Sequence, residues 1–195
     1  MDSAFLICGY PRSRTFWLAN FFSIGGLCKC EHEALQYSSS SQEFWERAEQ
    51  TCQEPIYGNS DSAAIFVLPA LLARRPLTKV VWVDRPMPEV ERSLHAAGFP
   101  FNKEAAALLQ AYRDKHRDLF DLVVSFEKLG SLAVIQTLWR FLLGEALFDY
   151  GRWGLLERTK LAHTYEDYTK HPRGTKFLEF IAKESESLCS GGLNH

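Results

Sequence analysis

Two guanidinium groups and two hydroxyls fall within four consecutive residues, Arg12-Ser13-Arg14-Thr15, in a loop that begins Gly9-Tyr10-Pro11. The loop follows the apolar run 4–8 and feeds a segment with helical spacing, in which Phe16, Leu18, Ala19 and Phe22 are apolar. A helix N-terminus presents unpaired amides and the positive end of the helix dipole. With added cations and hydroxyl donors it becomes a seat for phosphate or sulfate. A second group, Cys30-Glu31-His32-Glu33, supplies side chains able to take a proton, His32 being the one that titrates near neutral pH.

The loop is not of the kinase type. A G-x-x-x-x-G-K-[ST] phosphate loop would need glycine, lysine and a hydroxyl residue where this chain has Arg14, Thr15 and Phe16. The run 80–84 ends in Asp84 like a magnesium-binding strand, but that reading needs the missing lysine loop; Asp84 is expected to cap the following helix or to pair with Arg85 or Arg92. Five scattered cysteines, with Cys28 and Cys30 spaced C-x-C and no partner pair, predict buried free thiols in a reducing compartment, and no metal site. A net charge of −2 offers no field for nucleic acid or a membrane surface. No signal peptide and no membrane span is visible, so the expected location is cytoplasmic.

These residues must be positioned by a small set of elements. Runs 4–8, 79–83 and 122–126 read as strands buried on both faces, and 55–58 as a further strand. Helical patterns cover 15–22, 42–50, 63–73 (with Pro69 able to shorten it), 87–95, 103–120 and 132–143. A last helix is expected at 174–183, followed by a frayed tail from about 184 to 195. Strands alternating with helices predict a single α/β domain over 1–195, its mostly parallel sheet covered by helices on both faces. In such sheets ligands bind outside the carboxyl ends of the strands, where the Arg12 loop falls.

Pro11-Arg12-Ser13-Arg14-Thr15-Phe16-Trp17 resembles the 5′-phosphosulfate loop of the sulfotransferases that use 3′-phosphoadenylyl sulfate (PAPS), P-[KR]-S-G-T-T-W, matching five of seven positions. Arg14 stands in place of the glycine and Phe16 in place of the second threonine. The resemblance implies a P-loop-like architecture in which Arg12 holds the 5′-phosphate and the sulfuryl oxygens, Thr15 bonds the phosphate and Trp17 stacks near the adenine. The same family has an arginine at the end of a later strand and a serine eight residues on, which grip the 3′-phosphate. Arg85 and Ser93 have that spacing after the run 79–83. A doubly charged phosphate calls for this combination of a forked guanidinium and a hydroxyl.

The tyrosylprotein branch of the family places its catalytic glutamate at a distance from the loop that lands on Glu33. His32 is the second candidate, and Asp61 a third that could instead cap the next helix. Residues 124–129 resemble a structural segment at the end of a core strand. The family's R-K-G-x-x-G donor clamp is not found, residues 171–174 being the nearest stretch. The resemblance thus implies sulfuryl transfer to a hydroxyl or amine of a small-molecule or carbohydrate acceptor, without a metal. A divergent P-loop nucleotide kinase and a non-catalytic anion-binding module are the alternatives. The reading requires Arg12 and Arg85 to face one cavity.

Overall fold

The computed structural model describes residues 1–159. Five strands form one all-parallel sheet: β1 (Ser3–Gly9), β2 (Cys28–His32), β3 (Ile56–Ser60), β4 (Lys79–Asp84) and β5 (Leu122–Ser125), in spatial order β2-β3-β1-β4-β5. The helices among the described residues are α1 (Thr15–Phe22), α2 (Ser41–Thr51), α3 (Leu68–Arg74), α4 (Met87–Ala96), α5 (Lys103–Lys115), α6 (Leu132–Leu143) and α7 (Tyr150–Arg158). The α/β architecture expected from the alternating pattern is therefore present. The helix expected at 174–183 and the stretch 171–174 lie outside the described residues.

β1 is central and paired on both edges, with β3 on one side and β4 on the other. A parallel strand in that place has no wet face, which is why its sequence is a solid apolar run. Its side chains alternate between two cores. Phe5 and Ile7 pack with α1 and α6, whereas Ala4, Leu6 and Cys8 pack with α2, α3 and α5. Gly58 of β3 lies under the Phe5 ring, and a Cβ there would fall 2.2 Å from Phe5 Cζ.

The helix boundaries follow local chemistry. Ser40 accepts from the Glu43 amide at 3.1 Å while Glu43 Oε2 accepts from the Ser39 amide at 2.7 Å, reciprocal capping that starts α2. Asn102 caps α5 through the Ala105 amide at 3.0 Å. The helix expected over 63–73 is split: a 3-10 turn, Ala64–Phe66, precedes α3, and Pro69 sits in the first turn of α3, where its missing N–H costs nothing. α5 stops at Lys115, short of the expected 120, and a 3-10 turn, Arg117–Leu119, completes the approach to β5.

The chain leaves β1 toward β2 and β3 on one side, then returns to β4 and β5 on the other. Connections that diverge in this way open a crevice at the carboxyl ends of the two strands between which they part. Here that crevice lies between β1 and β4.

Candidate functional site

The turn after β1 is shaped by its backbone. Ser13 N donates to Tyr10 O at 3.1 Å, and both Arg12 (φ 67°) and Arg14 (φ 60°) take the left-handed conformation. Arg14 is the N-cap of α1, and no side chain caps that helix end. The left-handed geometry at 14 is the kind a glycine adopts freely, and here the chain holds it with an arginine. Ser13 itself is fully buried, and its Oγ has no hydrogen-bond partner among the described residues.

The turn after β4 is built on a side chain. A guanidinium NH group of Arg85 donates to the Arg12 carbonyl oxygen. Arg85 also lies with its guanidinium carbon 3.9 Å from the centroid of the Phe126 ring, and its Nε is 3.7 Å from Glu89 Oε2 one helical turn on. Arg12 Nε in turn donates to Ser93 Oγ at 3.4 Å. Two residues 73 positions apart in sequence are thus joined directly.

Pro11, Arg12, Arg14, Thr15, Phe16 and Trp17 line one cavity of about 630 Å³. His32, Glu33, Arg85 and Ser93 line the same cavity. Ser13 does not. The volume lies within the usual range for a small-molecule site. Apolar lining is supplied by Met87, Leu94, Phe99 and Phe101, from α4 and the segment leading to α5.

Burial lowers the pKa of Arg12, and it lowers that of Arg85, with Glu89 opposing the shift and the charges of Arg12 and Arg14 adding to it. Guanidinium groups stay protonated through such shifts. Burial thus disfavours the charge at Arg12 and Arg85, and at Arg85 the neighbouring cations add to that cost, a condition an anion relieves.

On the β2 side, His32 Nε2 is 3.3 Å from Thr15 Oγ1 and 3.9 Å from Glu33 Oε1, and the Phe16 ring packs edge-on against the imidazole at 5.2 Å. Glu33 is also left-handed (φ 52°), its amide tied to Ser60 O at 3.2 Å. Glu31 faces elsewhere, accepting from Tyr57 OH at 2.8 Å and pairing with Arg47 and Lys29. Asp61 is buried behind this turn. Its carboxylate accepts from the amides of Ala63 (2.8 Å) and Leu35 (3.4 Å), and burial, reinforced by Glu33, pushes its pKa up to about 6.

One expectation is corrected. Asp84 neither caps α4 nor pairs with Arg85 or Arg92: Pro86 holds the cap position, and Asp84 accepts from Trp82 Nε1 at 3.1 Å and pairs with Arg113 at 3.2 Å. Cys30 to His32 belongs to edge strand β2, an element the sequence did not announce. Cys8, Cys28, Cys30 and Cys52 are buried free thiols, and burial pushes Cys28 up to about 12, which leaves it unreactive.

Sequence reasoning missed Phe126 as a ring against Arg85, having read it as the end of a strand. It also missed Glu157 of α7, whose Oε1 lies 3.0 Å from an Arg14 nitrogen. An aromatic residue directly after β5 was the available signal for the first. Nothing local announces the second.

No protein-family model matches the sequence, and no curated protein does. Among solved structures the chain is similar to mouse sulfotransferase SULT7A1, solved in complex with PAP, with a TM-score of 0.52 and 14% sequence identity over 88% of this chain and 68% of that one. The likeness is one of fold: a parallel sheet with helices on both faces, of the P-loop-like kind found in that sulfotransferase.

Proposed function

We propose that the chain binds 3′-phosphoadenylyl sulfate and transfers its sulfuryl group to a hydroxyl or amine of a small-molecule or carbohydrate acceptor. The observation that carries this reading is that Arg12 and Arg85, from the turns after β1 and β4, line one cavity and are linked by the bond from Arg85 to the Arg12 carbonyl. The fold shared with a sulfotransferase supports it as well.

Arg85 and Ser93 receive the 3′-phosphate in this reading; Arg12, Thr15 and the loop amides receive the 5′-phosphosulfate, and Trp17 flanks the adenine. The acceptor oxygen or nitrogen attacks sulfur as the bond from sulfur to the bridging phosphate oxygen breaks. Adenosine 3′,5′-bisphosphate leaves with the new charge on that oxygen, where Arg12, with Arg14 beside it, stabilises it. The acceptor proton passes to Glu33, or to His32 held between Thr15 and Glu33. Positioning and electrostatics supply most of the rate enhancement, as in phosphoryl transfer.

Transfer of labelled sulfate from PAPS to a panel of phenolic, aliphatic, carbohydrate and amine acceptors tests this. Turnover by the wild type and a drop of about a hundredfold or more in kcat for Glu33→Gln is the expected result. Binding of adenosine 3′,5′-bisphosphate without turnover on any acceptor would leave a non-catalytic nucleotide-binding module. Unchanged kcat in Glu33→Gln with loss in His32→Gln would move the base to the imidazole.

A further inference from the structure

Arg14 has an acidic partner from a distant helix. α7 is fixed to α1 by contacts independent of that pair. Arg152 Nε donates to the carbonyls of Asn20 and Phe21 at 3.2 and 2.9 Å, and Trp17 Nε1 donates to Leu156 O at 3.1 Å. The two Arg152 bonds use carbonyls left open at the end of α1, the Trp17 bond uses a carbonyl of α7, and together they hold α7 against the helix that carries the loop. Glu157 is therefore held close to the loop, and its carboxylate meets Arg14 at 3.0 Å.

The Arg14 guanidinium carbon is also 5.7 Å from the ring centroids of both Trp17 and Phe126. Aromatic faces hold a guanidinium without cancelling its charge. The ion pair is partly open to water, with side-chain exposures of 35% and 27%, so its coupling is weak. Arg14 thus lines the cavity already paired with a carboxylate, while its charge and that of Arg12 both bear on Arg85.

We propose that Glu157 is a counter-ion that Arg14 exchanges for the incoming ligand, so that Glu157 sets how much negative charge a ligand must bring to occupy the cavity. The inference rests on the nucleotide reading of the same site. A ligand with several charges, engaged by Arg12 and Arg85 at once, displaces the carboxylate. A small anion engaged by a single arginine does not. Glu157 acts through Arg14 and is a positioning residue.

Calorimetric titration of the full chain with adenosine 3′,5′-bisphosphate, at low and at high salt, tests it. Glu157→Gln should bind the bisphosphate roughly two- to fivefold more tightly than wild type, the size of a partly exposed ion pair. Glu157→Asp should stay near wild type, and the gain should shrink as salt rises, because screening already weakens the pair. In an Arg14→Gly background, Glu157→Gln should change nothing. The inference is overturned if the wild type binds and Glu157→Gln binds equally or less tightly, or if it binds more tightly by the same factor without Arg14. A wild type that does not bind the bisphosphate at all refutes the nucleotide reading itself, and the counter-ion role falls with it.

Discussion

After β1 the chain turns through Arg12 and Arg14, both left-handed at φ 67° and 60°, whereas after β4 it passes through Arg85 and Pro86 into α4 with no residue at positive φ. The first turn holds its cations by forcing the backbone. The second holds its cation by surrounding a side chain: the Arg85 side chain is 11% exposed, against 35% for Arg14, and it touches a carbonyl, a ring and a carboxylate. On the proposed nucleotide reading, Arg85 would meet its ligand already ordered and largely stripped of water, so a bond it makes there costs little further reorganisation. On the same reading Arg14 must first leave Glu157. The two turns therefore differ in where their cost is met, in backbone strain at one and in desolvation at the other.

The largest test of that contrast is Arg85→Ala. A buried charge that also ties down the Arg12 carbonyl should weaken adenosine 3′,5′-bisphosphate binding by at least roughly thirtyfold. Arg85→Lys should recover only part of the loss, because an ammonium keeps the charge but not the fork that spans carbonyl and phosphate. Titration calorimetry on the three proteins gives the comparison. A loss for Arg85→Ala no larger than that for Arg14→Gly would break the contrast between the turns.

A smaller effect is expected at Phe126, which presents its ring 3.9 Å from the Arg85 guanidinium carbon and 5.7 Å from that of Arg14. Phe126→Leu keeps an apolar side chain but removes the ring quadrupole, and should weaken bisphosphate binding by roughly three- to tenfold. If Arg85 is ordered by its carbonyl bond alone, Phe126→Leu will bind like wild type.

The legible parts of the molecule were those whose burial leaves an unbroken pattern in the sequence. β1, β4 and α6 read directly from sequence because continuous apolar runs and strong helical periodicity leave no other place for them. β2 did not. Cys28-Lys29-Cys30-Glu31-His32 pairs only with β3, so one edge is unpaired, and only Cys28 and Cys30 point into the core while the intervening residues are partly open. β3 was placed at 55–58 and runs on through Asn59 and Ser60, polar side chains that are fully buried, Asn59 by accepting from the Ala34 amide at 3.1 Å. In the cavity, the loop and the Arg85–Ser93 spacing stood out because each is contiguous or lies within one strand and helix. Glu157 lies 143 residues from Arg14, and only the docking of α7 on α1 brings them together.

The smallest effect, and the one that bears most directly on backbone cost, is on stability. An L-residue in the left-handed region costs about 1 kcal/mol, and glycine does not incur that cost, although its freer unfolded chain returns part of the gain. Arg14→Gly also deletes a partly exposed ion pair worth at most about 1 kcal/mol. The strain relieved and the pair lost nearly offset each other, so Arg14→Gly should change unfolding free energy by no more than about 0.5 kcal/mol. The two contributions separate in a Glu157→Gln background, where the pair is already gone: there Arg14→Gly should stabilise the protein by about 0.5–1 kcal/mol in urea unfolding. A destabilised double variant would mean that the ring contacts of Arg14 with Trp17 and Phe126, rather than Glu157, hold the loop in its left-handed form.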